Sequence, residues 1–369
     1  MKIELGTEKL KSAVAKVYKG VGDANIYVTT QIVGIEGKDG NIILSTTDRV
    51  ANIKVTLRDV ISKDISFYTN TKAELFKKLL DRTQSATVEL DIQDNKIVFS
   101  GSGDANLEII YNDEDGEGAL VRIKDIPVTG EPKQVKTSDL KKFITYLKGT
   151  LPTSIDNPVY TGYRVFDNKA MTYNNFGANL IEIGWNDDIL LPKSVVDLFD
   201  TIDGDTVEVT VDNENIKFVG GDVEISGKLK SDVEDYTTDR FTNLFYSKDI
   251  FTKETVIDRV RLLSALDRIN LFIGKEDSGI FSIELDDKNV VLITLARNCV
   301  ESIALDSCSN PNEISKNIGM PVLETALSAV KGDKIHIDFG EKVGLRIYDE
   351  VGKAYLLVPY ARIKKEKSE

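Results

Sequence analysis

A unit of helix, stop and hairpin occurs three times in this chain, and it constrains the fold more than any other feature. Its clearest copy is 192–229. Val195, Leu198, Phe199 and Ile202 fall at i, i+3, i+4 and i+7, the apolar stripe of a short helix. Pro192 suits a first helical turn, where its missing N–H has no helical partner. Gly204 stops the element, because glycine enters the left-handed cap without steric cost. The period then drops to two: Val207, Val209 and Val211 alternate with Thr206, Glu208 and Thr210. Residues 212–215 are turn chemistry, and Ile216 and Phe218 open a return strand.

The upstream copy is a helix over 71–83, with Leu75, Phe76, Leu79 and Leu80 on one side. Val88, Leu90 and Ile92 follow, then a turn at Asp94 and Asn95, then Ile97 and Phe99. The downstream copy is a helix over 321–331 carrying Val322, Leu323, Ala326, Leu327 and Val330, stopped by Gly332. Ile335, Ile337 and Phe339 follow, then a turn at 340–344, then Leu345 and Ile347. A period of about 120 residues is too long for a solenoid and is the size of a small domain.

Each copy is preceded by a matching half. In the first, a strand over 2–5 leads to Thr7 as N-cap and a helix through Leu10, Ala13, Val14, Val17 and Tyr18, ended by Gly20. In the second, 134–135 lead to Thr137 or Ser138 as cap, then Leu140, Phe143, Ile144 and Leu147, with Gly149 as stop. In the third, 246–250 lead to Thr252 and a helix through Val256, Ile257, Val260, Leu263 and Leu266. Three strands follow each helix: 31–36, 42–45 and 53–57; 163–166, 170–173 and 180–185; 280–285, 290–295 and 300–305. The expected class is therefore α+β. Each domain is a pseudo-two-fold doubling with two helices on one side of antiparallel sheets. The domains are expected at 1–126, 127–242 and 243–369. Two polar stretches act as linkers: the acidic, Gly-rich 112–118, followed by Pro127, Gly130 and Pro132, and 232–242. The charged tail at 364–369 is expected to fray.

With 29% charged and 41% hydrophobic residues, the composition is that of a soluble globular protein. No apolar run is long enough for a membrane helix, and the first residues lack the apolar core of a signal peptide. Only Cys299 and Cys308 are present, so no disulfide framework is expected, and the compartment is expected to be reducing and cytoplasmic. The net charge of −13 argues against nucleic acid when taken alone.

The charge is segregated, however. Lys9, Lys11, Lys16 and Lys19 outnumber Glu8 on the first helix, and Lys136, Lys141, Lys142 and Lys148 outnumber Asp139 on the 136–149 helix. Lys72, Lys77, Lys78 and Arg82 outnumber Glu74 and Asp81 on the 71–83 helix. The helix at 192 is instead acidic, and that at 321 is balanced. Solvated helix faces account for such lysines. So does a basic helical lining within an acidic shell, which would touch phosphates without reading bases.

Three tandem domains of this doubled form resemble the bacterial DNA polymerase sliding clamp, the β processivity factor, over essentially the whole chain. Local matches are Met-Lys-Ile-Glu-Leu at 1–5 with the helix after it, Asn-Phe-Gly-Ala-Asn-Leu-Ile at 175–181, and Ala-Tyr-Leu-Leu-Val-Pro-Tyr-Ala-Arg-Ile at 354–363. The resemblance implies a head-to-tail homodimeric ring of six domains. Helices would line a hole for double-stranded DNA, and sheets would form the rim. The DNA-facing candidates are Lys16, Lys19, Lys77, Lys78, Arg82, Lys142, Lys148 and Arg259. Partners implied are a second copy of the chain, a DNA polymerase, a clamp loader, and replication or repair proteins carrying a short apolar motif. No membrane, cofactor or metal is implied, and no catalysis.

Family members seat partner peptides in an apolar cleft. Its matching positions here are Thr161, Gly177, Asn179, Leu180, Leu356, Leu357, Val358, Pro359 and Tyr360. The chain departs from the family at Ala178 and Asn179, where His-Arg is usual, and at Glu234 and Thr238, where a Pro and an Arg line the cleft. Such changes suit a divergent replication system, as of a phage.

No nucleophile elbow, P-loop or dinucleotide fingerprint is present. His336 alternates with Ile335 and Ile337 and reads as an outward strand residue. The two cysteines read as buried or inert thiols. Two readings from other classes remain: a β-rich structural protein of tandem modules, virion or adhesive, and a Mg²⁺-dependent nuclease using the turns at Asp113 and Asp203.

Overall fold

The computed structural model describes residues 1–22, 27–112, 118–152, 158–174, 177–274, 279–286, 288–309, 314–349, 351 and 353–362. Among them are helices α1 (Thr7–Tyr18), α2 (Ala73–Asp81), α3 (Thr137–Lys142), α4 (Lys193–Val196), α5 (Asp239–Tyr246), α6 (Arg259–Asn270) and α7 (Met320–Ala329). Contacts divide the chain into two compact units, 1–141 with 191–231, and 142–190 with 232–369.

The first unit contains an eight-stranded sheet. Its order is Lys133–Lys136, Thr206–Val211, Asn215–Gly220, Val223–Lys228, Ala51–Leu57, Asn41–Thr47, Ile32–Lys38 and Phe67–Lys72. A four-stranded sheet runs Lys2–Gly6, Thr87–Ile92, Lys96–Ser100 and Asp104–Glu108. Helix α1 buries Leu10, Ala13, Val14 and Val17, and it packs on α2 and on the strands Asn41–Thr47 and Ala51–Leu57. That stripe is the i, i+3, i+4, i+7 set read from the sequence.

The second unit repeats the plan. A nine-stranded sheet runs Ile189–Pro192, Gly162–Phe166, Lys169–Asn174, Gly177–Glu182, Ala354–Val358, Leu345–Asp349, Lys334–Gly340, Phe251–Asp258 and Ser307–Cys308. A four-stranded sheet runs Val300–Ala304, Asn289–Thr294, Ile280–Leu285 and Ile314–Gly319. Helices α6 and α7 pack together. The architecture is α+β with antiparallel sheets.

The period seen in the sequence recurs in strand pairing. The strand before the first helix of each repeat pairs with the strand after its second. Thus Lys2–Gly6 pairs with Thr87–Ile92, Lys133–Lys136 with Thr206–Val211, and Phe251–Asp258 with Lys334–Gly340. Each long sheet is two such half-sheets joined edge to edge. Ile225 faces Ile53 across one joint, and Leu180 faces Tyr355 across the other.

Several local expectations are corrected. The helix expected over 192–204 is one α-turn, Lys193–Val196, and a 3-10 turn, Phe199–Thr201. Pro192 is its N-cap with an extended backbone, not a residue of the first turn. The β-branched pair Val195 and Val196 propagates a helix poorly, and burial of Val195, Val196, Leu198 and Phe199 holds the broken segment instead. Thr7 and Thr137 are not caps but the first helical residues.

In the third repeat the strand expected at 246–250 lies at Phe251–Asp258, and α6 begins at Arg259 with Asp258 as N-cap, accepting from Arg261 N at 2.9 Å. Val256 and Ile257 therefore belong to a strand, and Val260 is 63% exposed. The stretch 232–242 is not wholly linker, since α5 begins within it. Leu75, expected on the apolar side of α2, is exposed. The strand expected to reach Trp185 ends at Glu182. Both cysteines are half-buried. His336 is also half-buried, and its ring stacks on Tyr348 with centroids 4.4 Å apart. No helix of the described residues is long and apolar enough to cross a membrane, which says nothing of a strand-built span.

Candidate functional site

Within the second unit, the C-terminal strand and α7 form the two walls of an apolar groove. Strand Ala354–Val358 alternates buried and half-buried residues, so Leu356 and Val358 enter the core while Tyr355 and Leu357 face the other way. The chain then leaves the sheet at Pro359, and Ala361 N donates to Asn317 O at 2.8 Å. Helix α7 has proline in its first turn, where no hydrogen bond is forfeited, and it brings Pro321, Val322, Thr325 and Ala326 to the opposite wall.

The main lobe has a volume of about 670 Å³. Adjoining lobes of about 350 and 540 Å³ share Gly177, Leu357 and Pro359, and Asn179, Pro321 and Thr325, with it. The smaller is bounded by Arg240, Phe241 and Leu244 of α5. A continuous, mostly apolar cleft of this size is suited to side-chain anchors.

Six of the nine residues expected here line the main lobe: Gly177, Asn179, Leu357, Val358, Pro359 and Tyr360. Leu180 and Leu356 lie in the core beneath, 0% and 1% exposed, and half-buried Thr161 is not in the lining. The Asn179 side chain donates to Tyr146 O, so the residue standing in place of the family's arginine is used internally. Among the described residues the buried Tyr360 hydroxyl has no hydrogen-bond partner, and burial raises its pKa above the ordinary value. Asn175 and Phe176 of the middle turn, the acidic run at 113–115 and the tail at 364–369 lie outside the described residues. The α7 wall was not assigned to the site from the sequence. In the sequence Val322 counts with the apolar residues of that helix, and nothing local marks it as facing a groove.

In the first unit, the candidate cations sit beside carboxylates. Lys16 Nζ lies 2.8 Å from Asp203 and 2.7 Å from Asp222, and the side chain is 17% exposed. Burial disfavours its charge, but hydrogen bonds to Asp203 and Asp222 outweigh this and raise its pKa. Lys19 meets Asp200 at 2.6 Å, Lys77 meets Asp81 at 2.6 Å and lies over the Tyr18 ring, and Lys78 meets Glu74. Arg82 is the exposed C-cap of α2.

In the second unit, Lys142 donates to Glu182 O at 2.8 Å, and Arg259 Nε donates to Leu327 O at 3.2 Å. Lys148 is exposed in a 3-10 turn after α3. Of the turns considered for Mg²⁺, Asp203 is held in its ion pair with Lys16. The described residues contain no cluster of three or more His, Cys, Asp or Glu able to hold a metal.

No family model matches the sequence, and no curated protein matches it. Solved structures do. The DNA polymerase sliding clamp of Bacillus subtilis aligns with a TM-score of 0.81 at 18% identity, over 98% of this chain and 99% of that one. The β subunit of the Streptococcus pyogenes DNA polymerase gives 0.83 at 17%, covering 98% and 100%. The DNA polymerase III β subunit of Thermotoga maritima gives 0.81 at 17%, covering 98% and 99%. This chain has the bacterial sliding-clamp fold. The likeness spans essentially the entire length of both chains, so it is one of the whole fold and not of a shared module. At these identities the likeness is one of fold.

Proposed function

We propose that this protein is a non-catalytic sliding clamp. Two copies close head to tail around double-stranded DNA, and the ring tethers a DNA polymerase and other partners through the groove. Each chain contributes three domains, 1–126, 127–242 and 243–369, so six would form the ring.

The observation that carries this reading is the state of the sheet edges. Two joints within the chain unite half-sheets, and both use the third strand of one half against the third strand of another. The strands equivalent to these in the remaining half-sheets are Asp104–Glu108 and Val300–Ala304, and each ends its four-stranded sheet. An unpaired edge is a template for another chain. Pairing Asp104–Glu108 of one copy with Val300–Ala304 of another would repeat the in-chain joint and link copies head to tail, as the proposed two-copy ring requires. Leu271 and Phe272, 80% and 49% exposed after α6, supply apolar surface for such an interface.

DNA contact through Lys16, Lys19, Lys77, Lys78, Arg82, Lys142, Lys148 and Arg259 would be weak, because many of these groups already have polar or acidic neighbours. Weak, sequence-blind contact suits a molecule held by encirclement.

The test is retention on loaded nicked circular DNA at high salt. Release when the circle is cut once, and a sedimenting mass of about twice 40.9 kDa, are expected. Equal retention on circular and cut DNA, or a monomer at all concentrations, overturns the reading.

A further inference from the structure

We propose that the groove selects an extended segment of another protein that carries acidic residues beside its apolar anchors. This rests on the groove reading above and specifies the chemistry of its occupant.

The chain as a whole is acidic, with 47 Lys and Arg against 60 Asp and Glu. The groove departs from that balance. Among the described residues lining its three lobes, Arg240, Arg362 and Lys148 are cations, and Glu324 is the one carboxylate. The cations are distributed along the cleft: Arg240 borders the α5 lobe, Arg362 the main lobe, and Lys148 the lobe beyond Asn179. Lys316 lies 5.7 Å over the Tyr360 ring at the same wall and adds a fourth positive group.

Backbone polarity has the same sign. Helix α7 begins at the groove, where its N-cap Gly319 offers no side-chain acceptor and leaves the positive end of the helix dipole without a side-chain cap. The main lobe between these groups is mostly apolar, so an occupant needs hydrophobic side chains for its energy and carboxylates for its register. Complementary charge at the rim of an apolar cleft raises the association rate and penalises like-charged competitors.

The experiment uses the full chain and three synthetic decapeptides with one apolar core, Leu-Ala-Leu-Phe. The flanks on both sides are Glu and Asp, Gln and Asn, or Lys. Binding is measured by fluorescence anisotropy at low and high salt, for the parent chain, Arg240→Gln and Arg362→Gln. The acidic peptide is expected to bind roughly tenfold tighter than the lysine-flanked one, the sum of several rim ion pairs. Each substitution should shrink the ratio of acidic to lysine-flanked affinity, and added salt should shrink it for the parent chain. Equal affinity for all three flanks overturns the acidic preference and leaves the groove reading standing. Failure of all three to bind the parent chain overturns the groove reading itself.

Discussion

Arg346 holds Asp338 through two hydrogen bonds, Nε at 2.9 Å and Nη2 at 2.6 Å, with both side chains buried. Burial pushes the Asp338 carboxyl up to about 6 from 3.8, despite the opposing pull of Arg346. A folded-state pKa above the unfolded value means that the native state binds the extra proton. The stability this group contributes is therefore full below about pH 4 and lost as pH rises through about 6. Asn cannot titrate, so the stability of the parent chain minus that of Asp338→Asn should fall by on the order of 2–3 kcal/mol between pH 4 and 7. Urea unfolding across that range checks it, and a pH-independent difference would refute it.

The same arginine ties down α5. Its Nη1 donates to Phe245 O at 2.9 Å and Ser247 O at 3.0 Å, beside the end of the helix that supplies Arg240, Phe241 and Leu244 to the groove. Arg346→Met leaves those carbonyls without this donor and Asp338 without its cation. A loss of about 3–5 kcal/mol at pH 7 is expected, as for other broken buried pairs. The loss should be smaller at pH 4, where Asp338 is neutral. Denaturant titrations at the two pH values measure both numbers.

The pairing of Lys16 with Asp203 and Asp222 masks the cation that the helical phase of α1 had offered to DNA. Substituting both acids, Asp203→Asn with Asp222→Asn, releases it without changing the fold's apolar contacts. The salt dependence of DNA retention should steepen by about one unit of log–log slope, the contribution of one added phosphate contact. An unchanged slope would place Lys16 away from DNA.

Much of the fold was legible because long amphipathic elements leave an unambiguous period. The stripe of α1 and the alternation over 206–209 are read correctly from side-chain type alone, whereas at the end of that strand Thr210 is buried and Val211 half-buried. Val256 and Ile257 misled because, continued by Val260 and Leu263, they fit a helical spacing, although α6 starts only at Arg259. The pairing of Thr255 with Ile337 and Ile257 with Ile335 decides in favour of the strand, and that is tertiary information. The groove was half legible for a similar reason. Its C-terminal wall is one continuous run, whereas the opposite wall is assembled from α7 and from Gly149 and Thr150, distant in sequence. The ion pairs on Lys16 join residues about 200 positions apart, and no local pattern predicts them.

Gly177 is required by a close approach at the groove. A Cβ there would stand 2.5 Å from Leu357 O, a backbone atom that cannot swing away. Gly177→Ala must therefore displace Ala354–Val358 from its partner strand. A cost of about 1–3 kcal/mol is expected from the overpacking, together with loss of peptide binding. Thermal melting and anisotropy with the acidic decapeptide test the two effects, and an unaffected melt would show that the joint yields easily.

The free edge at Asp104–Glu108 allows ring closure to be tested without damaging the subunit. Ile109 N donates to Asn95 O and Gly101 N to Gly103 O, which sets the hydrogen-bonding phase of this antiparallel pair. In that phase Ala105 and Leu107 bond inward to Lys96–Ser100, and the N–H groups of Asp104, Asn106 and Glu108 point off the sheet. Proline at 106 removes an outward donor and no ladder bond, a placement that an edge strand tolerates. Asn106→Pro should leave unfolding stability within about 1 kcal/mol, since the lost N–H makes no ladder bond to Lys96–Ser100. In the ring it removes a central bond of the proposed joint and sets a ring against the incoming strand. Sedimentation should therefore show the dimer shift to monomer, and retention on nicked circles should fall with it. Ser302→Pro, on the edge at Val300–Ala304, should do the same from the other side: Leu305 N donates to Lys288 O and Thr294 N to Cys299 O, which turns the Ser302 N–H outward. A dimer that survives both substitutions would mean that the two copies meet elsewhere.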